Sequence, residues 1–364
     1  MHTVEIKKLE PGLITAAPVT TKHGQLIVDA HKMLTTQMIT HMDFYGITCA
    51  MIVDGELSTA AIESLVAERH AVDTYSQKII QSKEYKEFKA KYEKKVTFLE
   101  NSLNDFITKN IPFDKDALVA CTMDLFVKHA TTISMFDMLH NTRKITDSTY
   151  AHCMNVAIIS RMIGMWLEYN KEALDTLTLG GLLHDIGKCK IPNAIINKPG
   201  KLTAEEYELI KKHPSLGYDI LKDHNVSIQV KQIALFHHER CDGSGYPLAL
   251  EGDEIDDYSN IVAIADVYDA MTSDRCYRNG VCPFEVIACF ERDGLGKYKP
   301  QFIMSFLEHI ANTYINNNVL LSDGTTGKIV LINKQHLTRP VIQTTNNKFI
   351  NLDKRLDLYV QAII

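Results

Sequence analysis

Leu182-Leu183-His184-Asp185-Ile186-Gly187-Lys188 closes a run in which Leu179, Leu182, Leu183 and Ile186 recur at i, i+3, i+4 and i+7, the stripe of a buried helix. Gly187 stops that helix. An imidazole and a carboxylate are thereby delivered to the end of an apolar element, where they must be paired or bound to something. Further along stand Lys211-Lys212-His213-Pro214 and His237-His238-Glu239-Arg240-Cys241-Asp242-Gly243-Ser244-Gly245-Tyr246-Pro247. Several such groups at helix ends point to a metal site.

The same reasoning places the other candidates. Thr146-Asp147-Ser148 is capping material for an apolar helix over 150–167 that carries His152. Thr203-Ala204-Glu205-Glu206 opens another helix as a capping box. Pro214 disfavours helical geometry in the residue before it, so that helix ends near His213. Ile228, Ile233, Leu235 and Phe236 make a core helix that brings His237 and His238 to its last turn. Ser259 reads as the cap of a further helix in which Asp266 and Asp269 share a face at i, i+3. Five helices therefore bring one or two candidate ligands each.

Outside this segment the text changes character. Residues 1–57 alternate short apolar runs with Pro and Gly and read as a small α+β module, with strands at 26–28 and 47–53 and a helix over 32–45. Residues 58–115 read as a helical linker region: Phe88, Tyr92, Val96, Leu99 and Leu103 recur at helical spacing, and Glu84, Glu87 and Glu93 interleave a lysine-rich outer face. Residues 116–316 are almost wholly helical by periodicity, and 317–364 form a small β module with turns at Asp323-Gly324 and Asn346-Asn347. The expected class is mainly α.

The net charge of −6 argues against a DNA or RNA polymer as partner. No run approaches the roughly 18–20 apolar residues of a membrane span, and no signal-peptide core opens the chain. The cysteines are scattered without a Cys-x-x-Cys pair, so reduced thiols and a cytoplasmic location are expected. Cys153, Cys189 and Cys241 flank candidate ligands, but flanking positions usually point elsewhere.

A lone buried histidine is more often a hydrogen-bonded core residue than a ligand, so only the ordered set carries weight. Imidazole and carboxylate donors without thiolate suit iron, manganese, zinc or cobalt. Asp269 has two readings, ligand support or a backbone bond. Glu239 and Asp242 either orient ligands or cap a helix end. Lys188 is either a phosphate holder or a solvated lysine. His224, in a polar run, reads as part of a solvated loop.

His152, His184-Asp185 and Asp266 resemble the ordered pattern of the HD-domain phosphohydrolases. With His213, His237-His238, Gly245-Tyr246-Pro247, the run Lys198 to Glu206 and the run Ala265 to Arg275, the chain resembles the HD-GYP subfamily of bacterial cyclic-di-GMP phosphodiesterases over roughly 140–316. The resemblance implies an HD-type helical bundle as catalytic domain. It implies one metal at His152, His184, Asp185 and Asp266 and a second at Asp185, His213, His237 and His238, with Asp185 bridging. Iron or manganese comes first, with zinc, cobalt or nickel as alternatives. Two cations roughly 3.5–4 Å apart would activate a bridging hydroxide for in-line attack on phosphorus. Lys188 would hold a non-bridging oxygen, Arg275 and Arg278 the second phosphate, and Tyr246 would stand at the pocket rim. Ser148 occupies the place where some members carry a glutamate for a third metal, so two metals are expected.

The implied activity is hydrolysis of cyclic-di-GMP to pGpG, with further cleavage to GMP left open. One alternative is the same chemistry on another cyclic dinucleotide such as cyclic GMP-AMP. Another is a non-catalytic cyclic-di-GMP sensor, against which the intact ligand set argues. A homodimer, or a signalling partner bound through the flanking modules, is a further expectation.

Overall fold

The chain divides into two units, residues 1–72 and 73–364. The computed structural model describes residues 2–10, 13–20, 26–28, 34, 38–39, 42, 47–52, 79–126, 135–136, 138–139, 142, 148–198, 200–272 and 282–364. In the smaller unit, strand β1 (His2–Glu5) pairs antiparallel with β4 (Cys49–Ile52), and β2 (Val19–Thr20) with β3 (Leu26–Val28). Leu9, Val19, Val28, Leu34, Met42, Ala50 and Ile52 make its core. Of the helix expected over 32–45, residues 38, 39 and 42 are described and helical, and Leu34 is described and is not. The expected helical stretch 58–78 lies outside the described residues.

The larger unit begins with α1 (Lys83–Lys109), capped by Ser82 and closed by Asn110 in the left-handed region (φ 55°). Tyr85, Phe88, Tyr92, Val96, Leu99, Leu103 and Phe106 bury one stripe of it. Lys83–Glu87, Lys89–Glu93 and Asp105–Lys109 pair along the exposed side, the solvated face that the alternating charges predict. After α2 (Lys115–Met123), α3 (Thr149–Trp166) is buried on every side from Cys153 to Gly164. A helix apolar all round belongs at the centre of a bundle. The Tyr92 hydroxyl on α1 lies 2.7 Å from Asn155 Oδ1 and 3.0 Å from Ala151 O, which ties α1 to this central helix.

Around α3 run α4 (Lys171–Leu183), a 3-10 turn (Ile186–Lys190), α5 (Asn193–Ile196), α6 (Ala204–Ile210), α7 (His213–Leu221) and α8 (Ile228–Phe236). They are followed by α9 (Asp257–Thr272), α10 (Pro283–Asp293) and α11 (Pro300–Thr313). Thr203 and Glu206 form the expected capping box on α6, and Pro214 lies in the first turn of α7. One cap differs from the sequence reading. Ser259 is inside α9, and Asp256 does the capping: its carboxylate accepts from Ser259 N (3.0 Å) and Oγ (2.5 Å). Both are cap-type residues, three positions apart, and the charged acceptor at the earlier position took the role.

The chain ends in an antiparallel sheet of β5 (Asn318–Leu321), β6 (Thr326–Asn333), β7 (His336–Thr344), β8 (Phe349–Asn351) and β9 (Val360–Ile363), in the order β8-β7-β6-β5-β9. Val319, Leu321, Ile329, Leu337 and Ile342 join the same apolar cluster as the helices. Glu291 on α10 fastens the sheet, accepting from Leu337 N (2.9 Å) and Thr338 Oγ (2.9 Å). The architecture is mainly α. No helix among the described residues is long and apolar enough to cross a membrane.

Candidate metal centre

Helices α4 and α8 end at His184 and His237, and His213 opens α7 three residues after α6 ends at Ile210. Each ring turns Nδ1 back onto a carbonyl of the helix it leaves: His184 to Gly181 O (2.8 Å), His213 to Ile210 O (2.7 Å), His237 to Ile233 O (3.0 Å). Helix-end carbonyls have acceptor capacity to spare. A carbonyl only accepts, so each Nδ1 carries its proton and each Nε2 is left to present a lone pair inward.

Those lone pairs converge on Asp185, which is 3% exposed. Its Oδ1 lies 3.2 Å from His213 Nε2 and 3.8 Å from His237 Nε2, whereas Oδ2 lies 3.4 Å from His184 Nε2 and 3.8 Å from His152 Nε2. His213 Nε2 and His237 Nε2 stand 3.1 Å apart. Two imidazole lone pairs at that distance repel unless a proton or a cation lies between them. His152 is held from behind by Asp269, with Nδ1 2.7 Å from its Oδ2, and turns Nε2 to Asp266 Oδ1 at 3.0 Å. His238 Nδ1 is 3.8 Å from Asp266 Oδ2.

All seven expected ligands thus meet, in two sets whose donor atoms lie within 4.8 Å of one another: Asp185, His213, His237 and His238, and His152, His184 and Asp266. Each carboxylate oxygen of Asp185 faces one set. The residues fit a divalent cation on the structure's own terms. His184 Nε2 and Asp185 Oδ1 are buried without a hydrogen bond in the chain, and α4 and α8 both end in a residue of the site, which brings their negative ends to it. Nitrogen and oxygen donors suit first-row divalent ions.

The local fields explain how the side chains carry charge. Burial works against an ionised Asp185, but Lys188 and His184 outweigh it and hold the carboxyl well below its usual range. Asp266 is likewise held low, His152 overcoming burial. Burial pulls His152 down, yet its bonds to Asp266 and Asp269 carry it up to about 9. His238 is pushed down to about 3, mainly by burial. His237 is lowered by burial and by the neighbouring imidazoles. Burial and neighbours thus favour a proton on His152, which a metal ion would displace, and unprotonated His237 and His238, which would bind one directly.

Two backbone devices position these groups. A Cβ on Gly187 would lie 2.0 Å from His213 O and 2.5 Å from Gly217 N, so only glycine lets the His-Asp turn meet the start of α7. Glu239, 1% exposed, accepts from Leu248 N (2.7 Å) and Leu250 N (3.0 Å), folding the Gly-Tyr-Pro loop back. Tyr246 then stacks on His238, centroids 4.7 Å apart. Glu239 clamps this loop, and Asp242 is an exposed turn cap bonded to Ser244 N and Oγ. Lys188 Nζ pairs with Asp185 Oδ2 at 2.5 Å, so it is no solvated lysine. Arg275 and Arg278 lie outside the described residues.

Three features escaped the sequence reading. The carbonyl anchors of the histidines were invisible, because they need the helix ends in register. His224 packs its ring 4.7 Å from Phe106 rather than lying free in a solvated loop. Cys153, expected to point away, lies with its Sγ among the site's donors, in one set with His184 and Asp185 within 4.8 Å. Cys189 is exposed, and Cys241 Sγ instead accepts from Asn260 Nδ2 at 3.4 Å.

A sequence profile of the HD domain family matches residues 118–301. The chain belongs to that family, and its His237-His238 pair and Gly245-Tyr246-Pro247 loop make it of the HD-GYP type. It is 35% identical over 209 residues to cyclic di-GMP phosphodiesterase PA4108 of Pseudomonas aeruginosa, covering 57% of this chain and 50% of that protein. It is 36% identical over 163 residues to 3'3'-cGAMP-specific phosphodiesterase 2 of Vibrio cholerae, covering 44% and 31%. The chain spans half or less of the length of these two relatives. Among solved structures, Bd1817, an HDG"Y"P protein from Bdellovibrio bacteriovorus, has the same fold, with a TM-score of 0.50 at 18% identity over 85% of this chain and 99% of that one.

Proposed function

We propose that this chain is a metal-dependent phosphodiesterase that hydrolyses cyclic-di-GMP to pGpG. The observation that carries the reading is the approach of His213 Nε2 to His237 Nε2, 3.1 Å apart beside the buried Asp185 carboxylate. Relatives named for cyclic-dinucleotide hydrolysis support the substrate class. His152, His184, Asp185 and Asp266 would hold one ion, and Asp185, His213, His237 and His238 the other. Iron or manganese is the proposed element. Ser148 spends its hydroxyl on capping α3, accepting from Ala151 N, which supports two ions rather than three.

Bound divalent ions supply Lewis acidity and a water of lowered pKa. The chain supplies everything else. Asp185 turns one oxygen to each donor set. Asp269 fixes the His152 tautomer so that Nε2 faces inward. Lys188 brings a positive charge to a non-bridging phosphate oxygen at the pocket edge, and Arg275 and Arg278 are assigned the second phosphate. Tyr246, held by Glu239, gives the rim a flat aromatic surface against which a base or sugar packs. Hydrolysis adds one water across a P–O3′ bond, the 3′-oxygen leaving with a proton.

The test is purification without oxygen, elemental analysis, and product chromatography on a panel of cyclic dinucleotides. Two ions per chain and fastest cleavage of cyclic-di-GMP are expected, both lost in Asp185→Asn. Faster cleavage of cyclic GMP-AMP would move the substrate. Binding without cleavage by the two-ion protein would overturn the enzymatic reading in favour of a sensor.

A further inference from the structure

We propose that Cys153 gives this centre a second, sulfur-containing donor set that captures thiophilic divalent cations, zinc and cadmium in particular. The proposal rests on the metal-centre reading of His184 and Asp185. Cys153 lies on α3 directly after His152 and is 3% exposed. Its Sγ, a nitrogen of His184 and an oxygen of Asp185 lie within 4.8 Å of one another, all three residues buried. A second observation points the same way: His184 Nε2, fully buried, has no hydrogen bond in the chain.

The chemistry separates this set from its neighbours. Sulfur beside nitrogen and oxygen selects zinc and cadmium over the harder manganese and iron(II). Binding forms a metal–sulfur bond and releases the thiol proton to solvent; the thiolate and the carboxylate then balance a divalent charge. No electron moves. His184 and Asp185 are shared with the proposed functional sets, so an ion held through Cys153 removes two of their donors. The consequence is a centre that a soft ion blocks by occupying shared ligands.

The experiment titrates cadmium into the metal-free 364-residue chain and follows the sulfur-to-cadmium charge-transfer absorption in the ultraviolet. Parent, Cys153→Ser, Cys153→Ala and Cys189→Ser are compared, the last controlling for an exposed thiol. Manganese uptake is measured in parallel by electron paramagnetic resonance. A band present in the parent and Cys189→Ser but lost in both Cys153 variants, with manganese uptake retained, is expected. A band that survives Cys153→Ser, or a parent without one, overturns the proposal. If a Cys153 variant misfolds, X-ray absorption on the cadmium-loaded parent decides, since the proposal requires one sulfur in the metal's shell. Loss of manganese uptake by the folded parent would instead sink the metal-centre reading itself.

Discussion

Replacing Gly187 with alanine should cost this protein its metals before it costs the fold. The added Cβ would stand 2.0 Å from His213 O and 2.5 Å from Gly217 N, where real contacts are not shorter than 3.0 Å. Both obstacles are backbone, so no side chain can swing aside. The 3-10 turn and α7 must part by about 1 Å, roughly twice the tolerance of a working site. That turn follows Asp185 and α7 begins with His213, whose Nε2 lies 3.2 Å from Asp185 Oδ1. Overpacking of this kind costs about 1–3 kcal/mol, or about 2–5 °C in Tm for a unit of this size. Removing a group that merely supports a ligand weakens metal binding about 10–100-fold, and displacing the ligand should do at least as much. Anaerobic manganese titration with circular-dichroism melts reads both effects. Gly252→Ala is the control: φ is +52° and nothing lies within 4 Å of the new Cβ, so it should cost about 1 kcal/mol of backbone strain and no metal. Parent-like metal affinity in Gly187→Ala would refute the reasoning.

Glu239→Gln keeps one acceptor but turns a donor toward the second loop amide, so KM should rise more than kcat falls while metal content stays at the parent level. Equal metal loss would contradict its role as a loop clamp. Glu239→Ala strands two amides at about 1–3 kcal/mol each, the lower end applying because Leu248 is exposed; differential scanning calorimetry checks this. Asp269→Asn can donate to His152 Nδ1 and flip the tautomer, weakening metal binding about 10–100-fold by elemental titration. Without metal, the pH dependence of Tm should show a maximum near the unfolded histidine value of about 6.5. Above it, the support given by His152, whose folded pKa is about 9, is lost as pH rises toward that value. Below it, His238, pushed down to about 3, declines a proton that the unfolded chain accepts, so stability falls. Added metal should abolish the alkaline decline by replacing the His152 proton; an unchanged decline would count against His152 as a ligand.

The bundle was legible because its signals are local. The stripe from Leu179 to Ile186, the capping box at Thr203 and the helix break before Pro214 each report on a few neighbouring residues. The candidate donors were legible as an ordered set, since histidines after apolar helices have little else to do. What the text could not carry was direction. Cys153 stands one residue from His152, about 100° around α3, and which face meets α4 depends on how the two helices dock. Asp269 showed only that it shares a face with Asp266, not that a histidine from another helix would lie behind it. The core shared by the C-terminal sheet and the bundle was hidden for the same reason. Alternation tells which residues of β6 and β7 turn inward, but Glu291 on α10 is what fastens the sheet.

The position of the histidines at helix ends makes one physical arrangement serve several needs. A helix C-terminus offers a spare carbonyl, which sets the tautomer, and a partial negative charge, which favours a cation. The carbonyls of Gly181, Ile210 and Ile233 therefore orient three donors before any ion arrives, two of them at helix C-termini. The apolar cluster that holds those helices runs from Phe88 on α1 to Val360 on β9. Metal binding should accordingly be an exchange of protons for cations within a standing fold, unlike the small zinc domains whose folding is their metal binding. This is why Gly187 and Glu239 matter more than their size suggests. Neither is a donor, but each fixes a backbone segment against which a donor or the aromatic rim is set. In a centre that is preorganised in this way, affinity is lost through such supports without any loss of the bundle.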